Sequence, residues 1–178
     1  EVERVLYLTG KSTGQIQVAA QLEAMLAEDS PLRYYQMRNR GEHAAVCPLP
    51  GCDGFSLCRE EIEAKWARAG ISPALLYQEH RTLGLPDIGQ LAVDGQVCPY
   101  EISRAMLPWA DVWIGDYNYV FSPASRGVFF DQVGFQPGRA LLIVDEAHNL
   151  PERVAGCFTH DAAGADEETV YDELRLAQ

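Results

Sequence analysis

The stretch that most constrains this chain is Arg139 to Leu150, RALLIVDEAHNL, where the unbroken apolar run Ala140 to Val144 stops at two acids. A run this short, without polar alternation, predicts a strand buried on both faces of a parallel sheet. Asp145 and Glu146 then stand at the carboxyl edge of the sheet, where open α/β sheets take their ligands. The expected fold class is α/β, a parallel sheet carrying helices on its faces. A strand that merely ends in a polar turn is the plainer alternative. The Asp-Glu pair followed by His148, three residues after Asp145, favours a site.

In nucleotide-driven motors an acid pair placed like this serves metal and water, with Asp145 on Mg²⁺ and Glu146 beside the attacking water. His148 does not belong to a zinc-binding HExxH pattern, because it stands two residues after Glu146 and no second His lies one turn away. Near the other end, Val5 to Leu8 predicts a second strand, followed by the loop TGKSTGQ. Gly10, Lys11 and Ser12 look like the end of a phosphate-binding P-loop. That motif also needs a Gly five residues before Gly10, and Val5 is there. The better reading is a loop offering hydroxyls and an ammonium to another ligand. Gln15 to Ala27 then predicts a helix that sends Val18, Ala19, Leu22, Met25 and Leu26 into the core.

A net charge of −12 argues against a generally basic nucleic-acid surface, so any such contact must be local. Much of the acid lies in Asp161 to Glu173, which leaves the basic residues between Arg33 and Arg68 able to form a patch. No stretch reaches the ~20 apolar residues that span a bilayer, and EVERVLYLTG lacks the form of a signal peptide, so the expected location is cytoplasmic.

From Arg40 to Cys58 helical periodicity disappears into a Gly- and Pro-rich stretch with three cysteines and little to bury. Helices are expected at Arg59 to Ala69, stopped by Gly70, and from a Ser72 cap with Pro73 to Gly84, together making a lobe that stands off the sheet. Asp87 to Gln96 reads as a polar connection, the residues after Cys98 as a short helix, and Asp111 to Gly115 as a third strand. Ser122 to Gly138 reads as a loop with an apolar knot at Val128 to Phe130, and a last helix begins at Pro151. His43, His80 and His160 are expected to be surface or capping residues, and Cys157 a small buried hydrophobe.

Cys47, Cys52, Cys58 and Cys98 have gaps of four, five and thirty-nine residues. Four thiols in an intracellular chain suggest metal ligands, and a core-poor loop needs such a source of order. The absence of CxxC knuckles weakens a zinc ribbon without removing it. An iron–sulfur cubane fits the uneven spacing, and unrelated buried cysteines remain the plain alternative.

VCPYEISRAMLPWADVWIGDYNYVF followed by LLIVDEAHNL resembles the iron–sulfur helicases of superfamily 2, the XPD and DinG group, most closely bacterial members. The resemblance lies in a final cluster cysteine followed by Pro-Tyr, a strand ending in a Tyr-bearing loop, and the DEAH box, in that order. It implies a RecA-like motor domain 1 with an inserted helical iron–sulfur lobe. The expected divisions are residues 1–38 and 100–158 for the motor domain, 39–99 for the insertion, and 159–178 for an acidic helical start of the arch. It implies a [4Fe-4S] cluster on Cys47, Cys52, Cys58 and Cys98, though other branches space these ligands differently. It also implies ATP and Mg²⁺ at Asp145, water activation by Glu146, and coupling through His148.

Leu8 to Gln15 is similar to that group's motif Ia, which makes Thr9, Lys11, Ser12 and Thr13 contacts for the DNA backbone. Arg38, Arg40, Arg59, Lys65 and Arg68 would follow phosphates, while Tyr117 and Tyr119 would stack bases. The phosphate loop would lie upstream of Glu1, and the later motifs beyond Gln178, so the resemblance implies a monomeric fragment, inactive alone, of a DNA repair or replication helicase. Its partners would be forked or single-stranded DNA and the rest of the helicase chain, with no membrane. Two rival readings are a metal-stapled nucleic-acid-binding module without catalysis and a self-contained P-loop ATPase.

Overall fold

The structure is a computed structural model and describes residues 1–49 and 62–159. The chain order is β1 (Arg4–Leu8), α1 (Ser12–Met25), β2 (Tyr34–Gln36), α2 (Arg40–Ala44), α3 (Ile62–Ala69), α4 (Pro73–Glu79), α5 (Leu85–Gly95), α6 (Pro99–Met106), β3 (Val112–Gly115), α7 (Asn118–Phe121), α8 (Gly127–Phe130), β4 (Ala140–Val144) and α9 (Leu150–Cys157). The strands form one parallel sheet in the order β2-β3-β1-β4. Parallel neighbours require crossovers, and helices supply them, so the expected α/β architecture is present.

Strand side chains alternate between two cores. Leu6, Leu8, Tyr35 and Trp113 face a large core completed by Tyr77, Ile88, Ile102 and Phe129. Tyr34, Val112 and Ile114 face the other way, with Val5, Tyr7, Val18, Ala19 and Leu22 packed over them. Helix α1 therefore covers one face, and α4 to α8 cover the other. Trp113 anchors the larger core: it is fully buried, and its indole N–H donates to Leu107 O at 2.7 Å. Phe129 and Phe135 pack on its ring with centroids 5.1 and 5.0 Å away.

Several expectations are corrected. Strand β4 is not buried on both faces: Leu141, Leu142 and Ile143 are 48%, 42% and 40% exposed. It is the sheet's edge among the described residues, so β1 is its one strand neighbour there. Met25 is 81% exposed rather than in the core, because the helix ends there. That helix begins three residues early, at Ser12, and it buries Gln15. Asp87 to Gln96 belongs largely to a helix, α5, which buries Ile88, Gly89 and Ala92. The helix predicted to reach Gly84 stops at Glu79. Of the two helices expected to stand off the sheet, α4 instead sends Tyr77 into one core with Leu6 and Trp113, while α3 packs on α5.

The stretch read as lacking periodicity opens with a short helix, α2, whose Asn39 side chain accepts from the Glu42 N–H at 2.9 Å while Glu42 accepts from the Asn39 N–H. His43 is 2% exposed, not a surface residue; its Nδ1 meets Asn39 O at 2.8 Å and its Nε2 meets Ser103 Oγ at 2.7 Å. His80 does stand at a helix end, as the C-cap of α4. Cys157 is half-buried, with its thiol 3.6 Å from Asn118 Oδ1. No described helix is long and apolar enough to cross a membrane.

Candidate functional site

Parallel pairing brings the ends of three strands to one edge. Leu8 is in register with Gly115 on one side and Val144 on the other, so the turns after β1, β3 and β4 begin at the same level. Thr9 N–H donates to Gly115 O at 3.1 Å, and Asp145 N–H to Leu8 O at 2.9 Å. A cleft of about 910 Å³ opens there, lined by Thr9, Gly10, Lys11, Asp145, Glu146 and His148 among others. The loop read as motif Ia and the DEAH box thus share one cavity. Lys11 and Thr13 line it; Thr9 is buried, while Lys11, Ser12 and Thr13 are exposed. Three residues, Thr9 to Lys11, join β1 to α1, too few for the eight-residue wrap of a P-loop. The self-contained ATPase reading is therefore not supported.

Asp145 is half-buried, and two tyrosines hold it. The Tyr117 hydroxyl donates to the backbone carbonyl of Asp145 and lies 3.2 Å from that of Glu146. Tyr7, in β1, has its pKa raised first by burial and then by the charge of Asp145 and a hydrogen bond to its side chain. The same causes act on Tyr117, where burial raises the pKa, a hydrogen bond from the Gly10 backbone lowers it, and Asp145 and Glu146 raise it again. Glu146 has φ 51° and ψ 40°, left-handed values that a non-glycine residue holds only where its surroundings impose them. Its exposed carboxylate sits 3.3 Å from His148 Nε2. Open to water on both sides, that pair contributes little stability. The arrangement offers a half-buried carboxylate able to take a divalent cation and a freer one able to accept a proton from water.

A second cleft, about 450 Å³, lies between α2, α6 and the α7–α8 turn and is lined by Asn39, Arg40, Tyr100, Arg104, Tyr119 and Ser125 among others. The Arg40 guanidinium lies 4.4 Å over the Tyr100 ring. Arg104 pairs with Glu101 at 3.5 Å, and its Nε is buried without a hydrogen-bond partner. Guanidinium groups around a groove suit the phosphates of a single strand. Of its lining, the sequence pointed to Arg40 and Tyr119. It missed Asn39, Tyr100, Arg104 and Ser125, although Tyr100 and Arg104 share one face of a helix at i and i+4.

Other candidates lie elsewhere. Tyr117 and Tyr119 are 1% and 7% exposed and belong to the core, which corrects the expectation that their rings stack bases. Arg38 pairs with Glu42 at 2.8 Å. Lys65 and Arg68 are on α3 and line neither cleft, Arg68 Nε donating to Ala64 O at 3.2 Å. Arg59, Cys52, Cys58 and His160 lie outside the described residues. Cys98 is 5% exposed at the N-terminus of α6, whose amides favour negative charge. Cys47 follows α2 in a segment that packs on the same region. Val46 lies 3.2 Å from where a Cβ on Gly89 would stand, and the His43 ring meets Tyr100 edge-on at 5.4 Å. Two of the four cysteines are thus carried on segments that pack together. Among the described residues, no three His, Cys, Asp or Glu side chains are grouped as a metal site.

Comparison with known proteins decides the family. The DEAD_2 family model matches residues 71–163, just over half the chain, from α4 through the DEAH box. The chain belongs to the DEAD_2 family. Among relatives of this DEAD_2 chain, a regulator of telomere elongation helicase 1 homolog from Oryza sativa subsp. japonica is 31% identical over 128 residues, covering 67% of this chain and 12% of the relative. ATP-dependent DNA helicase chl1 from Neurospora crassa is 35% identical over 97 residues, covering 53% of this chain and 8% of that protein. The general transcription and DNA repair factor IIH helicase subunit XPD of Dictyostelium discoideum is 32% identical over 66 residues, or 37% and 8%. A solved XPD helicase structure superposes with a TM-score of 0.53 at 17% identity, covering 85% of this chain and 26% of that one, and it supports a RecA-like fold. This DEAD_2 chain spans about an eighth or less of the length of these curated relatives.

Proposed function

We propose that this chain supplies the water-activating acids and part of the strand-binding surface of an ATP-dependent DNA helicase. The observation that carries the reading is that Asp145 and Glu146 share one cleft with Thr9, Gly10 and Lys11 of the turn after β1 and with Thr13 at the start of α1. Asp145 is the residue to hold Mg²⁺, which when bound neutralises charge on the β- and γ-phosphates. Glu146 orients a water whose oxygen attacks the γ-phosphorus; the bond to the β-phosphate oxygen breaks, and the water's proton passes to the Glu146 carboxylate. The names of the relatives, which include ATP-dependent DNA helicase chl1, support this reaction class. Lys11, Ser12 and Thr13 are exposed to meet a phosphate backbone, and Arg40 and Arg104 line a second cleft that offers the strand further phosphate contacts.

In the same reading Cys47 and Cys98, with Cys52 and Cys58, hold a [4Fe-4S] cluster. The packing of α2 and its following turn against α5 and α6 supports this, and the cluster's role is to stiffen a wedge that separates strands. The test is Glu146→Gln in the full-length protein that carries this sequence. ATP turnover should fall at least ~10²-fold, the scale of a positioned general base, while nucleotide and single-strand binding stay nearly intact. Turnover within a few-fold of wild type overturns the reading and leaves a binding module without catalysis.

A further inference from the structure

Gly10 is pinched between two side chains that reach it from the far side of the cleft. A Cβ there would stand 3.0 Å from the Tyr117 ring and 3.6 Å from Arg153 Nη2. Arg153, on the helix that continues from the DEAH turn, donates to Gly10 O at 2.9 Å. The same Tyr117 that bears on Gly10 donates its hydroxyl to the Asp145 carbonyl and lies within reach of the Glu146 carbonyl. It thereby helps to hold Glu146 in its left-handed conformation. The acid turn therefore cannot shift against the loop without breaking the Tyr117 bonds or moving Gly10, because the ring is 1% exposed and already stands 3.0 Å from where a Gly10 Cβ would lie.

We propose that Tyr117 and Arg153 are positioning residues that clasp the Asp145 to Glu146 turn to the Thr9 to Lys11 loop, so that nucleotide at the acids and a strand at the loop sense one another. The inference rests on the two roles assigned above. Neither residue touches the reacting atoms. Coupling of this kind is reciprocal: each ligand changes the other's affinity by the same factor.

The experiment measures single-strand affinity by fluorescence anisotropy in the full-length protein, with and without a non-hydrolysable ATP analogue. Wild type should give a ratio well away from one. Tyr117→Phe keeps the ring and deletes the hydroxyl; Arg153→Ala deletes the other strap. Each should bring the ratio roughly five- to tenfold nearer one, the scale of one lost hydrogen bond, while either ligand alone binds within about threefold of wild type. Arg153→Lys can still donate to the Gly10 carbonyl and should keep most of the coupling, a rescue that a merely structural role would not produce. Amide exchange at residues 9–12 should quicken in Arg153→Ala. Arg153 is exposed, so its variants give the answer even if Tyr117→Phe folds poorly. An unchanged ratio in the variants overturns the clasp and leaves the assigned function standing. A wild-type ratio of one, with both ligands bound, also overturns the clasp alone. A wild-type protein that binds neither ligand overturns the clasp and the function together.

Discussion

Replacing Ser103 with Ala should destabilise the fold by about 3 kcal/mol, for a reason visible in three buried groups. Tyr35, His43 and Ser103 are 2%, 2% and 0% exposed. The Asn39 carbonyl can only accept, so the His43 Nδ1 beside it must carry the proton and Nε2 must accept. Ser103 therefore donates to His43 Nε2 at 2.7 Å and accepts from the Tyr35 hydroxyl at 2.7 Å. Alanine orphans one buried donor and one buried acceptor, each costing about 1–3 kcal/mol. At about 2–4 °C per kcal/mol for a chain of this size, Tm should drop by about 6–12 °C. Urea unfolding of the 178-residue chain at constant m checks the figure. Adding Tyr35→Phe to Ser103→Ala should cost about 1 kcal/mol less than Tyr35→Phe alone, because its donor is already unpaired.

The network also fixes a sign with pH. Burial holds the His43 pKa below its ordinary value, so below about pH 6.5 the unfolded chain takes up a proton that the folded chain refuses. The His43 contribution is therefore intact above pH 6.5 and is lost as pH falls below it toward the folded pKa. Subtracting the profile of His43→Leu from that of wild type isolates this slope. A Ser103→Ala variant within 0.5 kcal/mol of wild type, or a difference profile that rises on acidification, would refute the argument.

Three further outcomes are expected. Protein isolated without oxygen should be brown, absorb near 400 nm and carry about four irons, and Cys98→Ser should bleach it; a colourless wild type with one tightly held zinc would exclude the cubane. Replacing Arg40 and Arg104 together with Ala should weaken single-strand binding by the full-length protein and flatten its log–log salt slope by about one, from roughly −0.7 per phosphate contact, and an unchanged slope would remove the second cleft from the strand's path. Gly115→Ala should cost about 1–3 kcal/mol in chemical denaturation, since the added Cβ would lie 2.7 Å from Tyr119 Cδ2 and 3.0 Å from Phe129 Cζ; a neutral result would show that these rings have room to move.

The parts legible in the sequence are those whose signal is local. Val5 to Leu8, Asp111 to Gly115 and Ala140 to Val144 are apolar runs of strand length, and the described strands lie within a residue of each. The acid pair Asp145 and Glu146 is legible through adjacent residue types, and the failure of the P-loop pattern at Val5 matches the three-residue connection seen between β1 and α1. Strand β2 escaped because three residues, Tyr34 to Gln36, show no period. Helix α5 escaped because Asp87 to Gln96 reads as polar and holds Gly89 and Gly95; yet these glycines make room for Val46 and for Ala69 with Ile71. Tyr117 and Tyr119 have the chemistry of base-stacking residues, and only the closing of the core over them decided otherwise.

The sequence by itself determined the positions of three of the four strands, the α/β class and the place of the acid pair, because period and residue type are carried by neighbours along the chain. Tertiary structure alone decided that β4 lies at the sheet's edge, that His43 is buried on Ser103, and that Gly10 is held by Arg153 across 143 residues. Such contacts depend on parallel register bringing three strand ends to one level, and no local pattern encodes which distant backbone will arrive there.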